Sequence, residues 1–244
     1  MTLIYRVQIE LHDNLYFATR EMGRLYETEP IIHNYALCYA LGLVDSDIYS
    51  TRVREEDSYR YFCREQMPKY EEHLTPLNQQ GIYITPARSV SHKTVLNTWK
   101  YANNNYHVEM EKTQKNIPSF GRNKEIAPES VFEFFAISEK ELKLPKWIRL
   151  GKWMSKAEVE VKNFQDLKPS QSEKEFIFPY PLNPLDVMFS HRVMSYDVVN
   201  MPPVSSIKNV KLVGKYYSFQ MSKQSSKNNK LEIPALMEYR FKAV

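Results

Sequence analysis

Apolar and polar residues alternate from Leu3 to Leu11, the pattern of a half-buried strand. A second pattern has helical spacing, with Ile32, Tyr35, Ala36, Tyr39 and Leu43 on one stripe. Thr28 supplies a capping residue, Pro30 a first-turn proline and Gly42 a stop, which together predict a helix over Pro30–Leu41. Between them lies FATREMGRLYETE, a long polar connection with Arg20, Gly23, Arg24 and Tyr26. A strand feeding a helix through a loop of that length is unusual for pure scaffolding, so the loop is a functional candidate.

The later pattern is mostly that of strands. Residues 46–64 mix Tyr49, Tyr59, Tyr61 and Phe62 with charges and show no single period. Residues 79–86, QQGIYITP, read as a strand with Ile82 and Ile84 on one side and Tyr83 on the other. Residues 88–128 are long, basic and asparagine-rich, with Trp99, Tyr101, Tyr106 and Phe120 left exposed by the pattern. They read as an insertion, a hairpin or arm projecting from a sheet. Residues 131–137, VFEFFAI, form an aromatic-dense strand, followed by a turn or short helix at 138–142.

If residues 147–154 are extended, Trp147, Arg149, Gly151 and Trp153 share one face, and Ile148, Leu150, Lys152 and Met154 the other. Gly151 would then permit a close backbone approach or a bulge. The proline-broken 178–186 segment reads as a packed loop. Residues 195–199, 210–221 and 236–242 read as late strands, with the basic tract SKQSSKNNK between the last two. Several strands, few strong helices and irregular insertions predict an α+β domain built on a sheet.

Composition narrows the class. A chain of 244 residues that is 43% hydrophobic and 13% aromatic is neither a disordered tail nor a fibrous repeat. Six glycines stand against fourteen prolines and seventeen tyrosines, and neither GxGxxG nor a P-loop occurs, which argues against glycine-loop nucleotide folds. Cys38 and Cys63 are too few for a disulfide scaffold and lack metal-ligand spacing. Cys38 falls inside the helical pattern and reads as a buried free thiol. Acids come too early in MTLIYRVQIELHDN for a secretory signal, and no apolar run approaches membrane length, so a soluble cytoplasmic protein without membrane partners is expected. No cofactor or metal is expected, since no HxxxH motif occurs and Glu55-Glu56-Asp57 reads as a solvated run.

The net charge of +4 is unevenly spread. Residues 1–87 carry 8 Lys/Arg against 13 Asp/Glu, residues 88–168 carry 15 against 10, and residues 169–244 carry 10 against 6. An acidic first third and a basic remainder suggest one face for a polyanion and another for a protein neighbour; ordinary surface solvation is the plainer alternative.

The blocks HDNLYFATREMGRLYETEPIIHNYALCYALGL, GIYITPARS, KWIRLGKWMSKAEVEV and FPYPLNPLDV resemble, in that order, the small RAMP subunit of the type I-D CRISPR surveillance complex (Cascade). This is the Csc-one family, the Cas-five-type subunit of that system, and the likeness runs over essentially the whole chain. The resemblance implies a single RAMP domain over residues 1–244, a ferredoxin-like, RRM-related palm with an antiparallel sheet. Residues 88–128 would be its long inserted hairpin thumb. It also implies a place at the foot of the complex, gripping the 5′ handle of the crRNA. Partners would be the crRNA, the neighbouring backbone RAMP subunit, the large subunit, and target DNA near the PAM.

Residue chemistry agrees with holding RNA. Single-stranded RNA in a fixed shape needs cations for its phosphates and flat rings for its splayed bases. Arg20, Arg24 and Tyr26 lie in the loop leading to the predicted helix N-terminus, which itself favours phosphate. Glu27 and Glu29 are placed to cap that helix, leaving the arginines for RNA. In the insertion, Lys93, Lys100, Lys112, Lys115, Arg122 and Lys124 interleave with Trp99, Tyr101 and Tyr106. Lys146, Arg149, Lys152 and Lys156 surround Trp147 and Trp153, though both tryptophans could equally be core. The competing class is a metal-independent endoribonuclease that processes precursor crRNA, with His33 and Tyr35, His92 and Lys93, or His107 and Tyr106 as acid and base. The six histidines are scattered without diagnostic spacing, so no catalytic residue is assigned and a non-catalytic binder is expected.

Overall fold

The first strand, β1 (Thr2–Leu11), forms where the alternation predicts it, and Val7, Ile9 and Leu11 are buried. The computed structural model describes residues 2–44, 68–101, 119–221 and 230–241, without the side chains of residues 100, 101, 119 and 120. Expectations for residues 46–64, Cys63, Tyr106, His107, Lys112, Lys115 and the tract 222–229 lie outside the described residues, as do those for the side chains of Lys100, Tyr101 and Phe120.

In chain order, β2 (Arg20–Met22), β3 (Leu25–Glu27), β4 (Ile31–Ile32) and α1 (Asn34–Ala40) follow β1. Then come α2 (Tyr70–Gln79), β5 (Ile82–Ile84), β6 (Ala87–Ser91), β7 (Thr94–Tyr101), β8 (Ser119–Ile126), β9 (Val131–Ser138), β10 (Trp147–Leu150) and β11 (Ser155–Leu167). The last part holds β12 (Lys174–Phe178), the short α3 (Pro184–Val187), β13 (Arg192–Val199), β14 (Ser206–Gly214), β15 (Tyr216–Gln220) and β16 (Lys230–Pro234). The fold is mixed, with mostly strands and few helices.

β1 is central to the main sheet, whose order is β10-β11-β1-β9-β6-β4, with β5 also pairing β9. Every pairing in this sheet is antiparallel. β9 is aromatic-dense because both its faces are covered: Phe132, Phe134 and Phe135 are fully buried. Phe135 meets the Tyr180 and Phe219 rings at 5.0 and 5.3 Å, which fastens the C-terminal sheets to the main one. On the same face Glu133 is buried and ionised, taking Arg6 at 2.6 Å and Arg88 at 3.6 Å. Burial raises its pKa, but hydrogen bonds from Tyr180, Arg6 and Gln8 outweigh that and hold it down.

Several expectations need correcting. The first helix starts at Asn34, later than Pro30, and its N-cap is His33, whose Nδ1 accepts the Tyr35 N–H at 3.2 Å. Thr28 is not a cap because its hydroxyl is engaged elsewhere, accepting from Phe17 N–H at 3.0 Å and donating to Phe17 O at 2.8 Å. That staple closes the connection into a hairpin, β2–β3, in place of an open loop. α2 was not legible because Pro76 sits inside it; His73, Leu74 and Leu77 are its buried stripe. The 147–154 stretch is extended only to Leu150 and then turns.

The 210–221 pattern breaks at Lys215, where β14 leaves β12 and β13 and β15 takes up β16. Residues 236–241 are a strap, not a strand. Met237 and Tyr239 point inward and Glu238 and Arg240 outward, an alternation that imitates a strand without any pairing. The strap is tied to the body by Tyr239, whose hydroxyl accepts the Ile84 N–H at 2.8 Å and lies 3.0 Å from Cys38 Sγ. Cys38 is the buried free thiol expected, its pKa pushed up to about 12 by burial.

Candidate nucleic-acid interface

The edge of the main sheet carries the densest group of candidate residues. Along β10 the side chains alternate as strand geometry requires, Ile148 and Leu150 inward, Trp147 and Arg149 outward. The register sets Trp147 opposite Glu158 and Arg149 opposite Lys156. Lys156 Nζ lies 4.0 Å from the centre of the Trp147 ring and Lys146 Nζ 5.9 Å from it. His12, just past β1, meets the same ring edge-on at 5.0 Å. Glu158 pairs with Lys146 at 3.4 Å and His12 at 3.7 Å, and Asp13 with Arg149 at 3.8 Å. Such exposed pairs contribute roughly 0–1 kcal/mol each and yield readily to a phosphate. Trp147 is 41% exposed and Trp153 61%, so neither is core.

After Leu150 the chain turns at Gly151, with φ +73°. A Cβ there would stand 2.6 Å from Tyr16 O, the atom that accepts the Lys152 N–H at 2.8 Å. This close approach places Lys152 in solvent and stacks Trp153 on Tyr16, centroids 5.4 Å apart and planes 21° apart. Tyr16 in turn neighbours Tyr26; burial, then Tyr26 and the acids Glu125 and Glu21, hold its hydroxyl protonated.

The second group lies on the four-stranded sheet β2-β3-β8-β7, where β3 and β8 run parallel. Register divides the candidates between its faces. Arg20, Arg122 and Lys124 share one face with Met22, Leu25, Glu27 and Leu96. Tyr26 and Trp99 share the other with Glu21, Gly121, Asn123 and Glu125. Trp99 lies over Gly121, where a Cβ would enter its ring. Arg24 occupies the β2–β3 turn, and its carbonyl accepts the Arg122 N–H at 2.8 Å. Lys93 is exposed at the foot of the hairpin.

Glu27 does not cap the helix. It takes Arg20 at 2.6 Å and Lys124 at 3.5 Å, and Arg20 first of all holds its carboxyl below the usual range. The hairpin folds Arg20 back onto Glu27, so the carboxylate that the sequence assigns to the helix cap is paired with this arginine instead. His12 and Tyr16 were missed as neighbours of these residues, since only strand register and the turn at Gly151 bring them there; Tyr39 arrives with α1, which packs against β10. Among the described residues no cluster of His, Cys, Asp or Glu could hold a metal ion, and no helix is long and apolar enough to cross a membrane.

Two depressions flank Tyr39. One, of about 360 Å³, is lined by Tyr39, Ala40, Trp147, Arg149 and Lys156 among others. The other, of about 400 Å³, includes His33, Tyr35, Tyr39, Tyr70 and Lys152 in its wall.

The family model described as Type I-D CRISPR-associated protein Cas5/Csc1 matches residues 2–242, and the chain belongs to that family. No curated protein matches the chain. Among solved structures it is similar to a chain in the cryo-EM structure of the Type III-B Cmr-beta bound to cognate target RNA and AMPPnP. That similarity has 10% identity, covers 85% of this chain and 86% of the other, and has a TM-score of 0.40.

Proposed function

We propose that this chain is a non-catalytic RNA-binding and assembly subunit of the type I-D CRISPR surveillance complex. It holds the 5′ handle of the crRNA and caps the backbone near the PAM end of target DNA, beside a backbone RAMP subunit and the large subunit, in the cytoplasm. The observation that carries the reading is the exposed Trp147, ringed by Lys146, Arg149 and Lys156 on a sheet edge. A flat face beside several cations is what a single strand needs for stacking and phosphate pairing together.

Topology supports a RAMP-type, ferredoxin-like palm: β11, β1, β9 and β5/β6 lie side by side, antiparallel, in the order of a split βαβ arrangement. α1 and α2 supply one crossover, while the return from β9 to β11 carries β10 in place of a helix. The β7–β8 hairpin within residues 88–128 is the candidate thumb. His33 caps α1 through Nδ1, a role that binds this candidate ring into the fold and favours a holder over a nuclease.

The test uses the full chain with a labelled crRNA. Changing Lys146, Arg149 and Lys152 together to Ala should weaken binding. It should also flatten the plot of log affinity against log salt by about 0.7 for each phosphate that is no longer neutralised, about 2 in all. Unchanged affinity and slope in a variant that still folds would remove the assignment. Precursor RNA should remain uncut over the same period; specific cleavage at the handle boundary would favour the endoribonuclease instead.

A further inference from the structure

Register gives the four-stranded hairpin sheet two unlike faces. Arg20, Arg122 and Lys124 stand on one. The other holds Tyr26, Trp99, Glu21 and Glu125, and among the described side chains it receives no lysine or arginine from β2, β3, β7 or β8. The Gly151 turn extends this second face by laying Trp153 on Tyr16, whose hydroxyl lies near Tyr26 and the carboxylates of Glu125 and Glu21. Tyr26 is also hydrogen-bonded to Glu21. Trp99 is 47% exposed, and the side of Trp153 away from Tyr16 is open.

At the Trp147 edge the carboxylates Glu158 and Asp13 already hold cations. Here they do not: neither Glu21 nor Glu125 forms an ion pair among the described residues. Asn123, between the rings, gives its Nδ2 to Glu125, and its own buried Oδ1 meets no donor. The negative potential under the rings is therefore left uncancelled.

We propose that this face docks an arginine-bearing segment of a neighbouring protein subunit, with a guanidinium packed on the exposed rings of Trp153 and Tyr26 and paired with Glu21.

The proposal rests on the reading of the chain as an assembly subunit and gives that assembly a contact surface. Charge decides the occupant. The face of an aromatic ring attracts a cation held within about 6 Å of its centre, and carboxylates beside the ring add to the pull. A single RNA strand would gain stacking but bring phosphates against two carboxylates that have no cation. An apolar segment would cover the rings and desolvate Glu21 without a partner. Arginine suits the surface better than lysine, because a planar guanidinium can stack on a ring while its edge forks onto a carboxylate.

The test uses the full chain with its indole nitrogens labelled for NMR, the three tryptophan signals being assigned by single Trp→Phe variants. A glycine-serine peptide carrying two arginines should shift the Trp153 and Trp99 signals saturably. Trp147, which already has Lys146 and Lys156 beside it, should stay in place. The same peptide with two lysines should bind about twofold to fivefold more weakly, and Glu21→Gln, at an exposed position, should weaken the arginine peptide by a similar factor. A mixed-sequence single-stranded RNA should move Trp147 and spare Trp153. No shift with the arginine peptide, equal shifts at all three rings, or indifference to Glu21→Gln would overturn the proposal. A Trp153 signal that follows RNA would also overturn it, by making this a nucleic-acid surface, and one that follows protein concentration alone would make it a contact between copies. Failure of RNA to move Trp147 would overturn the RNA reading instead, with the peptide titrations still deciding this face.

Discussion

At the scale of single residues, two buried groups oppose each other across the same pH range. Asp186 is held by Asn34 Nδ2 at 2.8 Å, Tyr83 Oη at 3.0 Å and the Arg240 N–H at 3.1 Å. Burial outweighs those bonds and raises its pKa from 3.8 to about 7. The folded state then binds more protons than the unfolded one, so stability from Asp186 is greatest below about pH 4 and falls as pH rises to 7. Burial lowers His33 from 6.5 to about 4, which gives the reverse: stability is full above pH 6.5 and is lost as pH falls to 4. His73 and His191 are shifted the same way as His33. The Asp186 and His33 limbs are worth at most about 4 and 3 kcal/mol and oppose each other. Denaturant unfolding between about pH 5 and 7 should therefore vary less steeply in wild type than it would with the histidines alone. Asp186→Asn should expose the histidine limb, with stability falling toward pH 5. His33→Asn, which keeps a good N-cap, should tilt the profile the other way. Identical slopes in all three proteins would show that neither group titrates as its burial requires.

At the scale of elements, what was legible tracks how local the cause is. β1, β9 and the buried–exposed alternation of β10 follow from side-chain period alone, and Gly42, with φ +69°, ends α1 as its position suggested. The start of α1 was misread because Thr28 answers to Phe17, a partner eleven residues away and invisible to any periodic reading. The strap was misread because alternate burial does not reveal whether a backbone is paired. The division of Arg122 from Trp99 onto opposite faces needed the register with β3 and β7. One local feature was both legible and decisive. Gly151→Ala places a Cβ against Tyr16 O and breaks the Lys152 N–H bond, at a cost of about 2–3 kcal/mol with its left-handed backbone. RNA affinity should fall as well, since Lys152 rides on that turn. Gly42→Ala meets no atom within 4 Å and should cost only about 1 kcal/mol, with binding intact. Equal melting temperatures for the two variants would mean the turn is free to move.

At the scale of the whole molecule, one set of buried residues runs without interruption from Ile4 in β1 to Tyr239 in the strap. The C-terminal sheets are thus part of the same core that carries the Trp147 edge, and the strap is what closes it. Tyr239 joins three elements: its hydroxyl reaches Cys38 in α1 and the Ile84 N–H in β5, and its backbone exchanges two 2.9 Å bonds with Asn78 in α2. The Tyr35 hydroxyl donates to Arg240 O at 3.2 Å, so α1 leans on the same segment a second time. Unfolding followed by tryptophan fluorescence and by far-UV circular dichroism should therefore give one coincident transition. Tyr239→Phe should lower stability by about 1–3 kcal/mol, since it leaves the Ile84 N–H buried without an acceptor. It should also weaken RNA binding less than it weakens the fold. A chain ending at Pro234 removes the strap altogether and should lose the cooperative transition. If that shortened chain melts as sharply as the full one and still binds RNA, the core closes without its last segment, and the strap has some other use.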